Sequence, residues 1–170
     1  HSIAKACMEK SGITKAIEIT SMADIPAGSG LGSSSTYTVG LLNALHAINR
    51  DYISLYDLAE EACYIEMEKL KKPMGKQDQY LAAYGGFTIL EIGKDGKVIV
   101  KKAKISFNTI EDLKRNLLMF YTGKQRLNKD ILGQQEKSTI KNEKQVLDSL
   151  HYIKNSGYKI LEIIESRNIT

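Results

Sequence analysis

The residues that most constrain the fold are Ala23 to Ile48, "ADIPAGSGLGSSSTYTVGLLNALHAI", where a turn crowded with glycine and serine runs straight into an apolar helical pattern. The alternating, β-branched "KAIEITSM" (Lys15 to Met22) precedes it. Together they predict a strand, a tight turn and a helix N-terminus in succession. Such a junction is an anion site. The first N–H groups of the helix have no partner within it, and the helix dipole puts partial positive charge there. Gly28, Gly30 and Gly32 let the backbone approach a phosphate without a side-chain clash. Ser33, Ser34 and Ser35 add hydroxyls, as donors or as an oxygen ligand for magnesium. Three common phosphate loops do not fit. A Walker A loop needs a lysine after its glycines, and none follows here; the dinucleotide fingerprint needs glycine at Ser33. A protein-kinase loop lies on a hairpin, whereas "TVGLLNALHAI" is helical in pattern. From these residues alone, a plain turn feeding a buried helix stays open beside the phosphate loop.

The rest of the chain predicts an α+β fold. A short helix over 2–10 ends at Gly12, and the helix after the turn runs over about 32–48. "ISLYDLAEEACYIEMEKLKK" is another, capped by Ser54 with Asp57 and stopped by Pro73 and Gly75. "GKQDQYLAAYGG" reads as a compact loop with one helical turn. "GFTILEIGKDGKVIVKKAKI" reads as a hairpin whose Asp95-Gly96 supplies positive φ. A cap at Asn108 to Glu111 opens a short helix, and "NLLMFYTG" follows as a strand. Polar helix is expected over about 128–155 with a break at Gly157, then one more helix at the end. The order strand, helix, helix, hairpin, helix, strand, helix, helix gives α+β.

At 170 residues, 42% of them hydrophobic, the chain can bury a core of one domain or slightly more. A net charge of +4 with no run of five like charges suits phosphate handling and does not call for nucleic acid. No apolar run approaches the roughly 20 residues that span a bilayer. Cys7 and Cys63 lie far apart and read as reduced core cysteines of a cytoplasmic protein. His46 and His151 sit on helical patterns without metal-ligand spacing.

The string P-x-x-x-G-L-G-S-S-S, Pro26 to Ser35, resembles the second signature motif of the GHMP small-molecule kinases, and like theirs it falls at a strand–helix junction. "PMGKQDQYLAAYGGF", Pro73 to Phe87, looks like the substrate-side segment of members that act at an anomeric hydroxyl. It is most similar to the D-glycero-D-manno-heptose 7-phosphate kinases, and fucokinases carry a related G-x-Q-D-Q. "LLMFYTGKQR" is similar to a family strand ending in T-G-x-x-R, though Lys124 and Gln125 depart from that pattern. The resemblance implies MgATP-dependent phosphorylation of a sugar phosphate, with neither nucleic acid nor membrane as partner, and it leaves room for a homodimer. Another sugar kinase of the fucokinase or galactokinase kind is the alternative, as is a fragment that binds ATP and sugar without turnover. A sensing module would be expected to lack Asp78 or Ser34, and both are present.

By the same resemblance, the amides of Gly28, Ser29, Gly30, Leu31, Gly32, Ser33 and Ser34 wrap the ATP phosphates. Ser34 is a magnesium ligand, and a carboxylate on the following helix completes the site. Glu66 and Glu68 lie on different helix faces, so at most one reaches it. Glu66 is favoured because the family's glutamate follows an apolar residue in this way. Asp78 accepts the sugar hydroxyl proton or polarises that hydroxyl. Lys76, Gln77, Gln79 and Arg126 are the candidate substrate contacts, and for Lys76 and Arg126 an exposed surface charge is the rival reading. Gly85 and Gly86 either permit close backbone approach or form a plain turn.

The resemblance further implies a partial N-terminal, ATP-binding domain of the ribosomal S5 domain 2 type over 1–107, and the start of a ferredoxin-like domain over 108–170. The family's first motif would lie before His1 and its glycine-rich third motif after Thr170. The expectation is therefore the central part of a longer kinase, which alone need not be active.

Overall fold

Apolar residues at helical spacing build most of this structure, a computed structural model that describes residues 1–25, 28–121, 133, 137–141 and 143–166. The described elements are helix α1 (Ser2–Ser11), α2 (Ser33–Asn49), α3 (Leu55–Cys63) continuing into a π-helical segment (Tyr64–Lys69), and α4 (Gln77–Tyr84). Strands β1 (Thr88–Ile92) and β2 (Val98–Lys102), then α5 (Phe107–Asn116) and α6 (Lys144–Glu165), follow. The chain divides into two compact units, and among the described residues the first ends at Gly86 and the second begins at Phe87.

In the first unit, Ile3, Ala6 and Cys7 of α1, Val39, Leu42 and Leu45 of α2, and Leu58, Ala62 and Ile65 of the α3 run form one buried cluster. Each set recurs at three- or four-residue spacing, so each helix buries a single stripe. The ends of α1 and α3 are held as their residues predict. Gly12 closes α1 at φ 73°. Ser54 Oγ accepts the Asp57 N–H at 3.1 Å and donates to Asp57 Oδ2 at 2.5 Å. The helical run ends at Leu70, three residues before Pro73, with Lys71 already at φ 50°.

In the second unit, β1 and β2 pair antiparallel, with Leu90 opposite Val100. Their turn has Gly96 N–H on Gly93 O at 3.0 Å, and of the expected Asp-Gly pair only Gly96 takes positive φ. Asp95 Oδ1 instead accepts the Lys97 N–H at 3.1 Å.

Several expectations are corrected. Lys15 to Met22 forms no strand, although Ile17 and Ile19 are half-buried while Glu18 and Thr20 are exposed. Alternation needs a partner to become a ladder, and among the described residues β1 and β2 pair only with each other. The segment instead walls an apolar groove of about 350 Å³ with Tyr37, Leu41 and Ile48 of α2. For the same reason 117–121 is not a strand: Leu118 and Phe120 are about four-fifths exposed, at 82% and 80%. The cap of α5 is Ser106, whose Oγ accepts the Thr109 N–H at 3.1 Å, so that helix starts before Asn108. The substrate segment is a two-turn helix, α4, rather than a loop. Gly157 does not break α6, which runs through it to Glu165 as one helix. One glycine costs a helix interior only about 1 kcal/mol.

Candidate active site

The glycine–serine turn takes the conformation its composition predicts. Gly28, Gly30 and Gly32 have φ of 77°, 82° and 68°. Gly32 caps α2 and has no side chain to offer it, and the first helical bond runs from Thr36 N–H to Gly32 O at 2.9 Å. The amides of Ser33, Ser34 and Ser35 therefore belong to the unpartnered first turn. Leu31 is half exposed, and Ser29 Oγ is buried without a hydrogen-bond partner. Pro26 and Ala27 lie outside the described residues.

Under that first turn sits Glu66. The π-helical segment carries it: Leu70 N–H reaches Ile65 O at 3.0 Å, a bond of that wide turn, and beyond left-handed Lys71 the Lys72 N–H closes the helix end on Glu66 O at 2.9 Å. The Glu66 side chain is fully buried. Its Oε1 accepts from Ser34 Oγ at 2.5 Å and from Lys72 Nζ at 2.9 Å. Its Oε2 accepts from Ser35 Oγ at 2.7 Å and from Gln79 Nε2 at 2.8 Å. Lys72 Nζ also donates to Ser34 Oγ at 2.7 Å. Burial alone would push the Glu66 carboxyl up, but the hydrogen bonds from Ser34, Ser35 and Lys72, with the charge of Lys72, hold it below its ordinary value. Glu68 faces outward and pairs with Lys71 at 3.3 Å. Of the two candidate glutamates, Glu66 is the one that meets Ser34.

Asp78 arrives from α4. A Cβ built on Gly32 would lie 3.4 Å from Asp78 Cγ and 3.5 Å from its Oδ2. A methyl at position 32 would just touch this carboxylate, and the φ of 68° would strain any side chain there. The structure thus brings a turn glycine, a helix-start serine, a buried glutamate and an aspartate together from three separate stretches of sequence.

The proposed substrate contacts divide. Gln77 is exposed beside Asp78, with Nε2 3.4 Å from Oδ1. Gln79 is fully buried, its Nε2 on Glu66 and its Oε1 without a hydrogen-bond partner. In this structure it positions the glutamate and does not open toward a sugar. Lys76 Nζ lies 2.8 and 2.9 Å from the two oxygens of Glu60, which also accepts from Tyr80 OH. Burial works against the Lys76 charge, but Glu60 outweighs it and holds the lysine pKa up. Arg126 falls outside the described residues. Gly85 and Gly86 both take φ 64°, as a tight turn requires, and no protein atom lies within 4 Å of a Cβ on either. His46 pairs with Glu61 at 2.9 Å, a structural contact. Burial pushes Cys7 up to about 11 and Cys63 up to about 12, as inert core thiols.

Lys72 and Glu60 were not legible as members of this site, and Ser35, expected as a hydroxyl for phosphate or magnesium, instead donates to Glu66 Oε2. Lys72 follows left-handed Lys71, past the end of the π-helical segment, and its side chain turns in to Glu66.

The donor set fits magnesium. That ion takes one or two protein oxygens and completes its shell with phosphate oxygens and water. Ser34 Oγ and Glu66 Oε1 offer such a pair beside a helix N-terminus, and among the described residues no richer cluster of three or more His, Cys, Asp or Glu exists.

Comparison with known proteins bears on this arrangement. Residues 1–86 match the family described as GHMP kinases N terminal domain. The chain is 35% identical over 141 residues to the D-glycero-alpha-D-manno-heptose 7-phosphate kinase of Campylobacter jejuni, covering 83% of this chain and 41% of that protein. It is 32% identical over 154 residues to the L-fucokinase/L-fucose-1-P guanylyltransferase of Bacteroides fragilis, covering 88% of this chain and 16% of that one. Galactokinase of Pyrococcus furiosus is 32% identical over 107 residues, 61% of this chain and 28% of its own. Among solved structures, a D-glycero-D-manno-heptose 1-phosphate kinase from Bacteroides thetaiotaomicron matches with a TM-score of 0.62 at 35% identity, covering 66% of this chain and 38% of its own. The chain thus spans well under half the length of each relative.

Proposed function

Because this chain belongs to the GHMP kinases and carries their N-terminal domain over residues 1–86, we propose that it supplies the nucleotide and sugar site of an ATP-dependent sugar kinase. The reaction is phosphorylation of the anomeric hydroxyl of D-glycero-D-manno-heptose 7-phosphate to the 1,7-bisphosphate. The observation that carries the reading is the nearness of Asp78 to Gly32, with room for little more than a methyl group between them, which sets an acidic side chain beside the glycine–serine turn.

In this reading the amides of Gly28 to Ser34, with the N-terminus of α2, receive the ATP phosphates. Ser34 and Glu66 would hold magnesium, whose charge offsets that of the β- and γ-phosphates. Asp78 holds the anomeric hydroxyl toward the γ-phosphorus and takes its proton. The sugar oxygen bonds to that phosphorus, the bond to the β–γ bridging oxygen breaks, and ADP leaves. The transition state is loose, so orientation and charge count for more than base strength. That suits a carboxylate fixed on a short helix. Gln77, exposed beside Asp78, would contact the sugar, and Arg126 is assigned to the substrate phosphate. The choice of heptose rests on the Campylobacter relative and on the "KQDQY" segment. A cytoplasmic setting follows from the need for ATP.

The test is ADP release with MgATP and, in parallel, manno-heptose 7-phosphate, unphosphorylated heptose, fucose and galactose. The 7-phosphate should turn over fastest, and Asp78→Asn should lower the rate about 10²–10⁴-fold. Faster turnover of fucose or galactose would move the reading to another sugar kinase, and an unchanged rate in the variant would overturn the role of Asp78.

A further inference from the structure

A carboxylate with no exposure to solvent needs a partner for its charge. For Glu66 that partner is Lys72, which comes from beyond the end of the π-helical segment. Its Nζ lies 2.7 Å from Ser34 Oγ and 2.9 Å from Glu66 Oε1, two oxygens that are themselves 2.5 Å apart. The lysine side chain is 31% exposed and the glutamate 0%. One partner can leave toward solvent, and the other cannot.

These two oxygens are the same pair that would hold a divalent cation. An ammonium and a metal ion cannot share them, because cations that close repel strongly at the reduced dielectric of a partly buried site. We propose that Lys72 is a resident stand-in cation: it occupies the Ser34–Glu66 oxygens when no nucleotide is bound, refuses a bare divalent ion, and yields only to one that arrives with nucleotide phosphates. The inference rests on the metal-site reading above.

The reason lies in charge balance. A bare cation that displaced Lys72 would pair Glu66 but place two positive charges, only one of them balanced by the carboxylate, close to an ammonium that stays tethered nearby even when it turns toward solvent. A nucleotide brings the balancing anion. Its phosphates bind at the first turn of α2, where Ser34 sits, and so lie beside the oxygen that Lys72 already touches. The exchange then leaves neither charge alone. Lys72 would thereby couple metal entry to nucleotide entry, and it would keep the carboxylate ionised and aimed between turnovers.

Manganese binding, followed by the loss of the free-ion electron paramagnetic resonance signal, tests this on the chain, on Lys72→Met and on Glu66→Gln. In the absence of nucleotide, Lys72→Met should bind Mn²⁺ on the order of tenfold or more tighter than the unmodified chain, the scale of one or more charge-assisted hydrogen bonds. Equal binding of bare Mn²⁺ by both would overturn the proposal. Should Lys72→Met fail to fold, the unmodified chain decides by thermal unfolding. Bare Mn²⁺ should leave its midpoint unmoved, while Mn²⁺ with ADP should raise it beyond ADP alone. A rise with bare Mn²⁺ as large as with Mn²⁺ and ADP would refute the exclusion. Glu66→Gln separates the two readings. If it binds Mn²⁺ with ADP as well as the unmodified chain does, the metal site itself is wrong and the inference falls with it. If it loses that binding while Lys72→Met behaves like the unmodified chain, only the role of Lys72 falls.

Discussion

Glu60 and Glu66 stand six residues apart on one helical run, and each gathers a lysine and a hydroxyl. Their surroundings differ. Glu66 is sealed, accepting from Ser34, Ser35, Lys72 and Gln79, and it faces the start of α2. Glu60 keeps a 33% exposed side chain and ties Lys76 and Tyr80 together across α4. Those two residues flank Asp78 at two positions on either side. One glutamate thus organises the phosphate end of the site, and the other fixes the helix that delivers the aspartate. What separates them is burial, because a charge with access to water loses little when its partner goes, and a sealed cluster loses much.

The comparison breaks first at Glu66. Replacing it with alanine removes the acceptor of two hydroxyls, an amide and an ammonium at once, and is expected to cost about 3–5 kcal/mol in a urea unfolding curve. It should also abolish metal-dependent nucleotide binding. Glu60→Ala comes next, at about 1–3 kcal/mol, because it takes the carboxylate partner from the hydroxyl of fully buried Tyr80, leaving it Tyr56, and from Lys76. Its effect on turnover should come through the placement of Asp78. A Glu60→Ala chain as destabilised as Glu66→Ala would mean that burial is not what distinguishes the two clusters.

Acid sharpens the contrast more gently. Both carboxyls titrate below their usual value of 4.5 despite burial, which alone would raise them, because hydrogen bonds from Lys76 and Tyr80, or from Ser34, Ser35 and Lys72, outweigh it. Groups with depressed folded values stabilise the protein above the unfolded pKa and lose that stabilisation as pH falls through the folded one. The urea midpoint should therefore hold between pH 7 and 5 and decline below about 4.5. Glu66→Gln should flatten part of that decline. A midpoint that rises with acid would show that burial, not the donors, controls these groups.

How much of this the sequence disclosed follows from what kind of signal each feature carries. The turn was legible because glycines and hydroxyls at the start of a helical pattern leave a mark in one dimension, whereas the parts given to Ser34, Glu66 and Asp78 came from the resemblance to the kinase family. Legible too were the stripes that bury Leu42, Leu45 and Ile65. The π turn and the left-handed Lys71 that follows it left no such mark, since both show only in backbone geometry, and with them went the aim of Lys72. Lys76 and Gln79 looked like substrate contacts in a loop. As members of a helix they turn to Glu60 and Glu66, which are neighbours only in three dimensions. The strand expected at Lys15 to Met22 failed on a different ground: alternation records a half-buried surface, and a ladder also needs a partner. Gly157 misled because a single glycine's cost is small beside the cooperativity of a 22-residue helix.

The smallest effect is the control for all of these. Glu68 lies two residues from Glu66, on the same π-helical segment, and meets a lysine at 3.3 Å, so by sequence and by pairing it is nearly the same residue. Its side chain is 64% exposed and that of Lys71 is 77% exposed. Water can replace either partner, and holding two long side chains together costs entropy that the weak attraction barely offsets. Glu68→Gln should then shift unfolding by less than about 0.5 kcal/mol and leave nucleotide and metal binding untouched. A loss approaching that of Glu66→Ala would place the cause in the helical segment itself, since a charge at either position would matter equally. Near-silence at Glu68 beside a large loss at Glu66 would locate the effect in the sealed contact with Ser34, Ser35, Lys72 and Gln79.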